Sequence, residues 1–165
     1  MKTSNAKLFN KIALVSTVAL AAGWGVSAQA GTAIASLDMT AEVIANCTIN
    51  AAPLSASGYD YVVANKTNNL DVTSTINVVC TKGTGATIDL DTGDNDRKLK
   101  NGTNFLTYQL YKDNSRVVPW GSALDSLSIT GTGLAQSETV YARINGGQNV
   151  PAGSYTDTVT ATINF

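Results

Sequence analysis

Strict alternation of apolar and polar residues is the feature that most constrains this chain. Between Leu70 and Cys80, every second position holds in turn Leu, Val, Ser, Ile, Val and Cys, with mostly polar residues in between. A β-strand points successive side chains to opposite faces, so a period of two indicates a strand with one buried face. Cys80 falls on the apolar side and is therefore predicted to lie in the core.

The same alternation occurs in five further segments, which are separated by turns rich in glycine and asparagine. They cover residues 37–43, 86–90, 106–110, 140–144 and 159–165, and one of the predicted turns is 91–102. After the first thirty residues, no stretch of 12 or more has a helical period. Many short strands between turns predict an all-β protein of one domain, an immunoglobulin-like β-sandwich.

Residues 1–30 are predicted to be a secretory signal peptide. Three lysines precede an apolar run over 12–22, and Ala28-Gln29-Ala30 matches the small-residue cleavage pattern. The apolar run is shorter than the ~20 residues needed to cross a bilayer, so a membrane anchor is the less favoured alternative. The exported mature chain would then be residues 31–165, with no membrane span.

The cysteine content agrees with export. Cys47 and Cys80 are the two cysteines of the chain, and disulfides form in oxidising compartments outside the cytosol. A reactive thiol pair is disfavoured, because the chain has neither a Cys-x-x-Cys spacing nor a histidine to activate a thiol. We therefore predict a structural disulfide that closes a loop of 34 residues.

Composition excludes several classes of function. The chain contains no histidine, which removes Ser-His-Asp and Cys-His catalysis and the commonest metal ligand. Its 11 Lys and Arg against 12 Asp and Glu provide none of the basic excess that is typical of nucleic-acid binding. We predict a protein that is not an enzyme and that needs no cofactor and binds no nucleic acid.

Four aspartates in one short segment raise the question of a metal site. Asp89, Asp91, Asp94 and Asp96 could supply oxygen ligands to calcium, but their spacing does not follow the EF-hand pattern. The favoured interpretation is that a strand with outward-facing aspartates runs into a solvated loop. No metal site is predicted, and calcium binding by this loop stays an open alternative.

Aromatic residues raise a second alternative, a sugar-binding surface. Trp120, Tyr108, Tyr111 and Tyr141 are the candidates for stacking against a sugar ring. Alternation places Tyr108 in the core, and a Trp between proline and glycine is more often a packed loop anchor. A self-contained periplasmic sugar-binding module is therefore the less favoured hypothesis.

An ordered set of motifs points to a known family. They include Asn46-Cys47-Thr48-Ile49, Arg97-Lys98-Leu99, Trp120-Gly121 and Tyr141-Ala142-Arg143-Ile144, with the segments 76–80, 106–113 and 148–159 and the final Asn164-Phe165. Together they cover essentially the whole mature chain. The chain resembles the spore coat protein U domain family, which includes subunits of archaic (Csu-type) chaperone–usher pili.

The resemblance implies an incomplete immunoglobulin-like domain that is completed by a strand from a neighbouring subunit. The donor would be the segment 31–43, with Leu37, Met39, Ala41 and Val43 as its pocket-filling side chains. The C-terminal strand, with Val159, Ala161, Ile163 and Phe165, would border the groove and face a periplasmic chaperone.

In the same family, an outer-membrane usher would assemble copies of such subunits into a cell-surface fibre that serves adhesion and biofilm formation. The alternative within the same class is a spore- or cell-coat protein that assembles without an usher.

Overall fold

A computed structural model of the chain describes residues 30–165. The predicted signal peptide therefore lies outside the described residues, apart from Ala30. Residues 30–40 belong to a different unit from the body of the protein, Ala41–Phe165, and they contain no helix or strand. No helix among the described residues is long and apolar enough to span a bilayer.

The body is built from antiparallel β-strands in two sheets. Its elements are β1 (Cys47–Ala51), β2 (Leu70–Cys80), β3 (Gly85–Leu90), β4 (Lys98–Asn101), β5 (Asn104–Tyr111), a 3-10 turn (Ala123–Asp125), β6 (Leu127–Thr130), β7 (Ala135–Ile144) and β8 (Ala161–Asn164). One sheet has the order β1-β2-β7-β5-β4 and the other the order β6-β3-β8. The predicted all-β fold with two sheets is confirmed.

Alternation along the longest strands follows the prediction. In β2 the side chains of Ile76, Val78 and Cys80 are buried while their neighbours in the strand are exposed. Ile88 and Leu90 of β3 are buried as well, and the residues between them are partly buried. These inward faces pack together and form the apolar core between the two sheets.

Three strands were not expected from the sequence. The predicted turn over 91–102 contains β4, and the short strands β1 and β6 carry only two or three inward positions each. These segments of 4 or 5 residues give too little alternation for periodicity to detect. The last strand is also shorter than predicted, because β8 covers Ala161–Asn164 rather than 159–165.

Trp120 joins the two sheets along one edge of the sandwich. Its backbone N–H donates to Leu110 O of β5 at 2.9 Å, and Leu90 N of β3 donates to Gly121 O at 2.8 Å. The indole Nε1 donates to Ile88 O at 3.0 Å, and the side chain is only 2% exposed. Trp120 is thus the packed loop anchor that the sequence predicted, and Tyr108 lies in the core as expected.

The predicted disulfide is present between Cys47 and Cys80. The two cysteines are direct partners in the antiparallel pairing of β1 with β2. The bond therefore fixes the edge strand β1 to the sheet at the point where the chain enters the body.

Replacing both cysteines by serine is expected to lower the free energy of unfolding by about 3–4 kcal/mol, because the reduced chain gains the entropy of an open loop. Denaturant unfolding of the wild-type and the double variant measures the difference. A reducing agent should destabilise the wild-type protein and leave the double variant unchanged. Equal stability of the two proteins would contradict a structural role for the bond.

Candidate strand-binding groove

The edge of the sandwich away from Trp120 is open and forms an apolar groove of about 580 Å³. Its floor consists of inward side chains of β2, β5 and β7, namely Val72, Ile76, Leu110, Val140, Ala142 and Ile144. Two segments complete the lining: residues 51–57, here called the β1 rim, and residues 155–161, here called the C-terminal rim. The groove is long, mostly apolar and open to solvent.

Strand β8 leaves one backbone edge unpaired beside this groove. It is the outer strand of its sheet and pairs only with β3 among the described strands. Asp91 N donates to Thr160 O at 3.1 Å, one residue before β8 begins. Because hydrogen-bonded positions alternate along an antiparallel ladder, the even-numbered residues of β8 are the ones that bond to β3. In an antiparallel ladder the alternate residues point their backbone groups the other way. Ala161 and Ile163 therefore direct N–H and C=O groups to the free edge.

The C-terminal rim is held in place by backbone hydrogen bonds from the loop 91–97 and from β4. Lys100 and Thr156 exchange two hydrogen bonds, of 2.8 and 3.1 Å. Asp94 N donates to Thr158 O at 3.1 Å. The rim is thus fixed along its outer side, while its inner side lines the groove.

Two aspartates strengthen this attachment. Asp157 Oδ1 accepts hydrogen bonds from Asn95 N at 3.1 Å and Asn95 Nδ2 at 3.2 Å, and its Oδ2 accepts one from Tyr108 Oη at 2.8 Å. Asp91 Oδ1 accepts from Thr160 N at 2.9 Å and from Gly93 N at 2.9 Å. We call Asp91 and Asp157 with these bonds the rim clasp.

The aspartate-rich segment 89–96 contributes to the attachment of the C-terminal rim through Asp91 of the rim clasp. Asp89 Oδ2 likewise accepts a hydrogen bond, from Asn164 Nδ2 at 3.0 Å. Within residues 30–165, no three His, Cys, Asp or Glu side chains come together in a way that would hold a metal ion. Backbone, amide and hydroxyl donors bond to the carboxylates of Asp89, Asp91 and Asp157, whereas Asp89 Oδ1 is buried without a hydrogen-bond partner.

A buried arginine lies beneath the polar end of the groove. Arg97 Nη2 donates to Leu90 O at 3.3 Å and to Trp120 O at 3.2 Å, and its guanidinium lies 5.9 Å from the centre of the Tyr108 ring. These contacts hold Arg97 in a left-handed backbone conformation, with φ of 59°. Burial, together with the neighbouring Asp157 carboxylate, raises the pKa of the Tyr108 hydroxyl, which keeps it a hydrogen-bond donor.

The predicted C-terminal groove residues lie in different places. Val159 and Ala161 line the groove, and Ile163 is half-buried opposite Ile88 of β3. Phe165 lies beyond the end of β8 and is 58% exposed, so it is not a core residue of the described chain.

The predicted donor residues form no strand. Leu37, Met39 and Val43 are 95%, 89% and 83% exposed, and Ala41 is exposed as well. Their proposed insertion into another copy stays a prediction.

Sequence reasoning missed the β1 rim and the rim clasp. One signal was available for the β1 rim, because Ser74 is the single polar residue on the inward side of β2. Its Oγ donates to Ala52 O at 2.8 Å and lies 3.1 Å from Pro53 O. Proline has no N–H with which to continue the ladder. The segment that follows β1 therefore separates from β2 at Pro53, and this separation opens the groove.

Comparison with known families identifies this fold. Residues 33–162 match the Spore Coat Protein U domain, and the chain belongs to that family. It is 36% identical over 157 positions to Protein U of Myxococcus xanthus, with 84% of this chain and 88% of that protein covered.

A solved structure also has this fold. It is the chaperone–tip adhesion subunit pre-assembly complex of the archaic chaperone–usher Csu pili of Acinetobacter baumannii, with a TM-score of 0.57 and 26% identity. The match covers 74% of this chain and 40% of that chain. The family and this pilus subunit are structural, non-enzymatic proteins.

Replacing Asp91 by alanine is expected to lower the Tm at neutral pH by about 2–4 °C. This shift corresponds to a loss of roughly 1 kcal/mol or less in the free energy of unfolding, because solvent screens the exposed carboxylate. Burial raises the pKa of Asp91, but hydrogen bonds from Thr160 and Gly93 outweigh it and bring the pKa below the ordinary 3.8. The stabilisation by the charged form is thus present above pH 3.8 and is lost as the pH falls through the lowered pKa.

The measurement is the Tm of the wild-type protein and of Asp91→Ala between pH 7 and pH 2. The difference should shrink below about pH 4. Asp94→Ala is the control, since no hydrogen bond to that exposed side chain is found in the described chain. A Tm difference that is constant at all pH values would contradict the clasp.

Proposed function

We propose that this protein is a structural subunit of a secreted surface fibre and that copies join by donor-strand exchange. In this process the segment 31–43 of one copy fills the groove of the next. The observation that carries the proposal is the open apolar groove beside the unpaired edge of β8. An exposed strand edge over an apolar floor is an association site. An added strand would pair with the free backbone groups of that edge and bury the apolar floor.

The side chains of the donor segment fit the chemistry of the groove. Leu37, Met39, Ala41 and Val43 share one parity, so an extended segment presents all four on one face. Leu37, Met39 and Val43 are almost fully exposed in the isolated chain. Burying each of these three is expected to contribute about 1.5–3 kcal/mol to the association.

The backbone of the donor segment is also suitable. No proline occurs between residues 31 and 43, so each residue retains an N–H group for pairing. Ala161 and Ile163 offer complementary groups at the free edge of β8. Main-chain hydrogen bonds would provide affinity that does not depend on sequence, and the alternating side chains would set the register.

The remaining partners follow from the same proposal. A signal peptide over residues 1–30 would send the chain to the periplasm, where a chaperone would cover the groove and the C-terminal strand until assembly. The similar pilus subunit was solved in a complex with a chaperone, which supports this step. An outer-membrane usher would then build the fibre, and adhesion and biofilm formation would be its uses.

Leu37→Asp is expected to weaken polymerisation strongly, because it places a charge in an apolar groove. Thr40→Asp is the matched control, since it adds the same charge on the opposite face of the donor segment. Periplasmic extracts of cells that express each variant are run unboiled on a denaturing gel. Wild-type protein and Thr40→Asp should give a heat-sensitive ladder of multimers, and Leu37→Asp should give monomer.

Export is measured separately from the total amount of mature protein in boiled samples. Equal ladders for Leu37→Asp and Thr40→Asp would contradict insertion of this face. Ladders in cells without any chaperone or usher would instead favour the coat-protein alternative, and a stable monomer with or without residues 31–43 would favour a self-contained module.

A further inference from the structure

We infer that the edge strand β6 pairs with β6 of a second copy, so that neighbouring fibres bind side by side. This contact lies on the opposite edge of its sheet from β8 and leaves the strand-binding groove free. The bundling of fibres rests on the proposed assembly by donor-strand exchange, whereas the contact itself needs only two folded copies.

The outer side of β6 carries free backbone groups. Among the described strands, β6 pairs only with β3. Just after the strand, Gly131 N donates to Thr84 O at 2.7 Å. Because hydrogen-bonded positions alternate along an antiparallel ladder, the odd-numbered residues of β6 are the ones that bond to β3. Ser128 and Thr130, which are both exposed, therefore direct their N–H and C=O groups to the free edge.

β6 lacks the features that protect other strand edges of this protein from pairing. β4 carries two lysines, and the Lys100–Thr156 hydrogen bonds cover its edge with the C-terminal rim. β1 ends two residues before Pro53. The stretch 127–134, by contrast, contains neither a charged residue nor a proline. An uncharged edge with free backbone groups is prone to pair with another strand.

The free edge of β6 is complementary to itself. In an antiparallel pair centred on Ile129, Ser128 of each copy lies opposite Thr130 of the other. Both residues direct their backbone groups outward, so each such pair exchanges both of its hydrogen bonds. The same surface then serves both copies, as a twofold symmetric interface requires.

The side chains of β6 suit the same arrangement. Leu127 and Ile129 pack against the core but are only partly buried. The two Ile129 side chains would meet across the twofold axis, at a closely spaced non-hydrogen-bonded position of the ladder. Each would cover part of the other, and no charge within β6 opposes the contact.

The contact becomes effective when many copies are linked. β6 has only 4 residues, and an isolated pair of short strands is marginally stable in water. A fibre presents one β6 edge per copy, and linked sites bind far more tightly than single ones. We therefore expect side-by-side fibres rather than stable dimers of free subunits.

The first test places charges on the free edge. Ser128→Lys with Thr130→Lys sets like charges opposite each other across the twofold axis, whereas Ser128→Asp with Thr130→Lys sets opposite charges there. Fibres of the full-length chain are counted as single or side by side by negative-stain electron microscopy. The bundled fraction should fall about tenfold or more with the two lysines, because weak repulsion recurs at every copy. It should return with the Asp and Lys pair.

The matched control is Thr73→Lys with Thr75→Lys. Both positions are exposed on β2, an interior strand of the other sheet, so the control adds the same charge away from any free edge. Its fibres should bundle like the wild-type fibres.

A disulfide then identifies the partner strand. Ile129→Cys places a thiol on the twofold axis, where the Cβ atoms of opposite residues come closest. Assembled protein is treated with a mild oxidant, boiled and run on a denaturing gel without reductant. We expect a heat-resistant dimer of this chain that a reductant separates, and no such dimer for the control Thr75→Cys.

The two proposals fail in different ways, because the heat-sensitive ladder reports donor-strand exchange and the reducible dimer reports the β6 contact. A ladder that survives deletion of residues 31–43 would contradict exchange alone. An intact ladder without the Ile129→Cys dimer would overturn the β6 contact, as would a disulfide from Ile129→Cys to another protein. Wild-type fibres that stay single, or equal bundling of the two charge variants, would also overturn it.

Discussion

The structure depends on a sandwich that is closed along one edge and open along the other. The Trp120–Gly121 connection bonds to both β5 and β3 along the closed edge. The C-terminal rim that leads into β8 bonds to β4 of the five-stranded sheet, but β8 itself pairs only with β3 among the described strands. Apolar floor and unpaired backbone therefore meet in one groove. Exposed apolar side chains and unpaired backbone groups each cost free energy. An added β-strand would cover the apolar floor with its side chains and pair with the backbone of β8.

The rim clasp explains how an unfilled groove keeps its shape. Asp91 and Asp157 fix the C-terminal rim to the loop 91–97, and the disulfide fixes β1 at the start of the body. A groove held open in this way is preorganised, so a donor strand does not have to order it on binding. Asp157 also accepts a hydrogen bond from the core residue Tyr108, which links the C-terminal rim to the core.

The sequence predicted the features that depend on period and composition. The alternation of β2, the disulfide between Cys47 and Cys80 and the packed Trp120 are all present. The strand β4 was missed because Lys98–Asn101 has little alternation and owes its place to pairing with β5. The rim clasp was missed because Asp91 and Asp157 are far apart in the chain, and only the pairing of β3 with β8 brings their loops together.

The most direct test places a photo-crosslinking amino acid at Met39 and irradiates assembled full-length protein. Boiled samples are then separated by size, and the crosslinked peptides are identified by mass spectrometry. Donor-strand exchange predicts covalent dimers and larger multimers, with Met39 joined to the β1 rim, the C-terminal rim or the groove floor of another copy. Crosslinks that remain within boiled monomers, or that join Met39 to surfaces outside the groove, would contradict it.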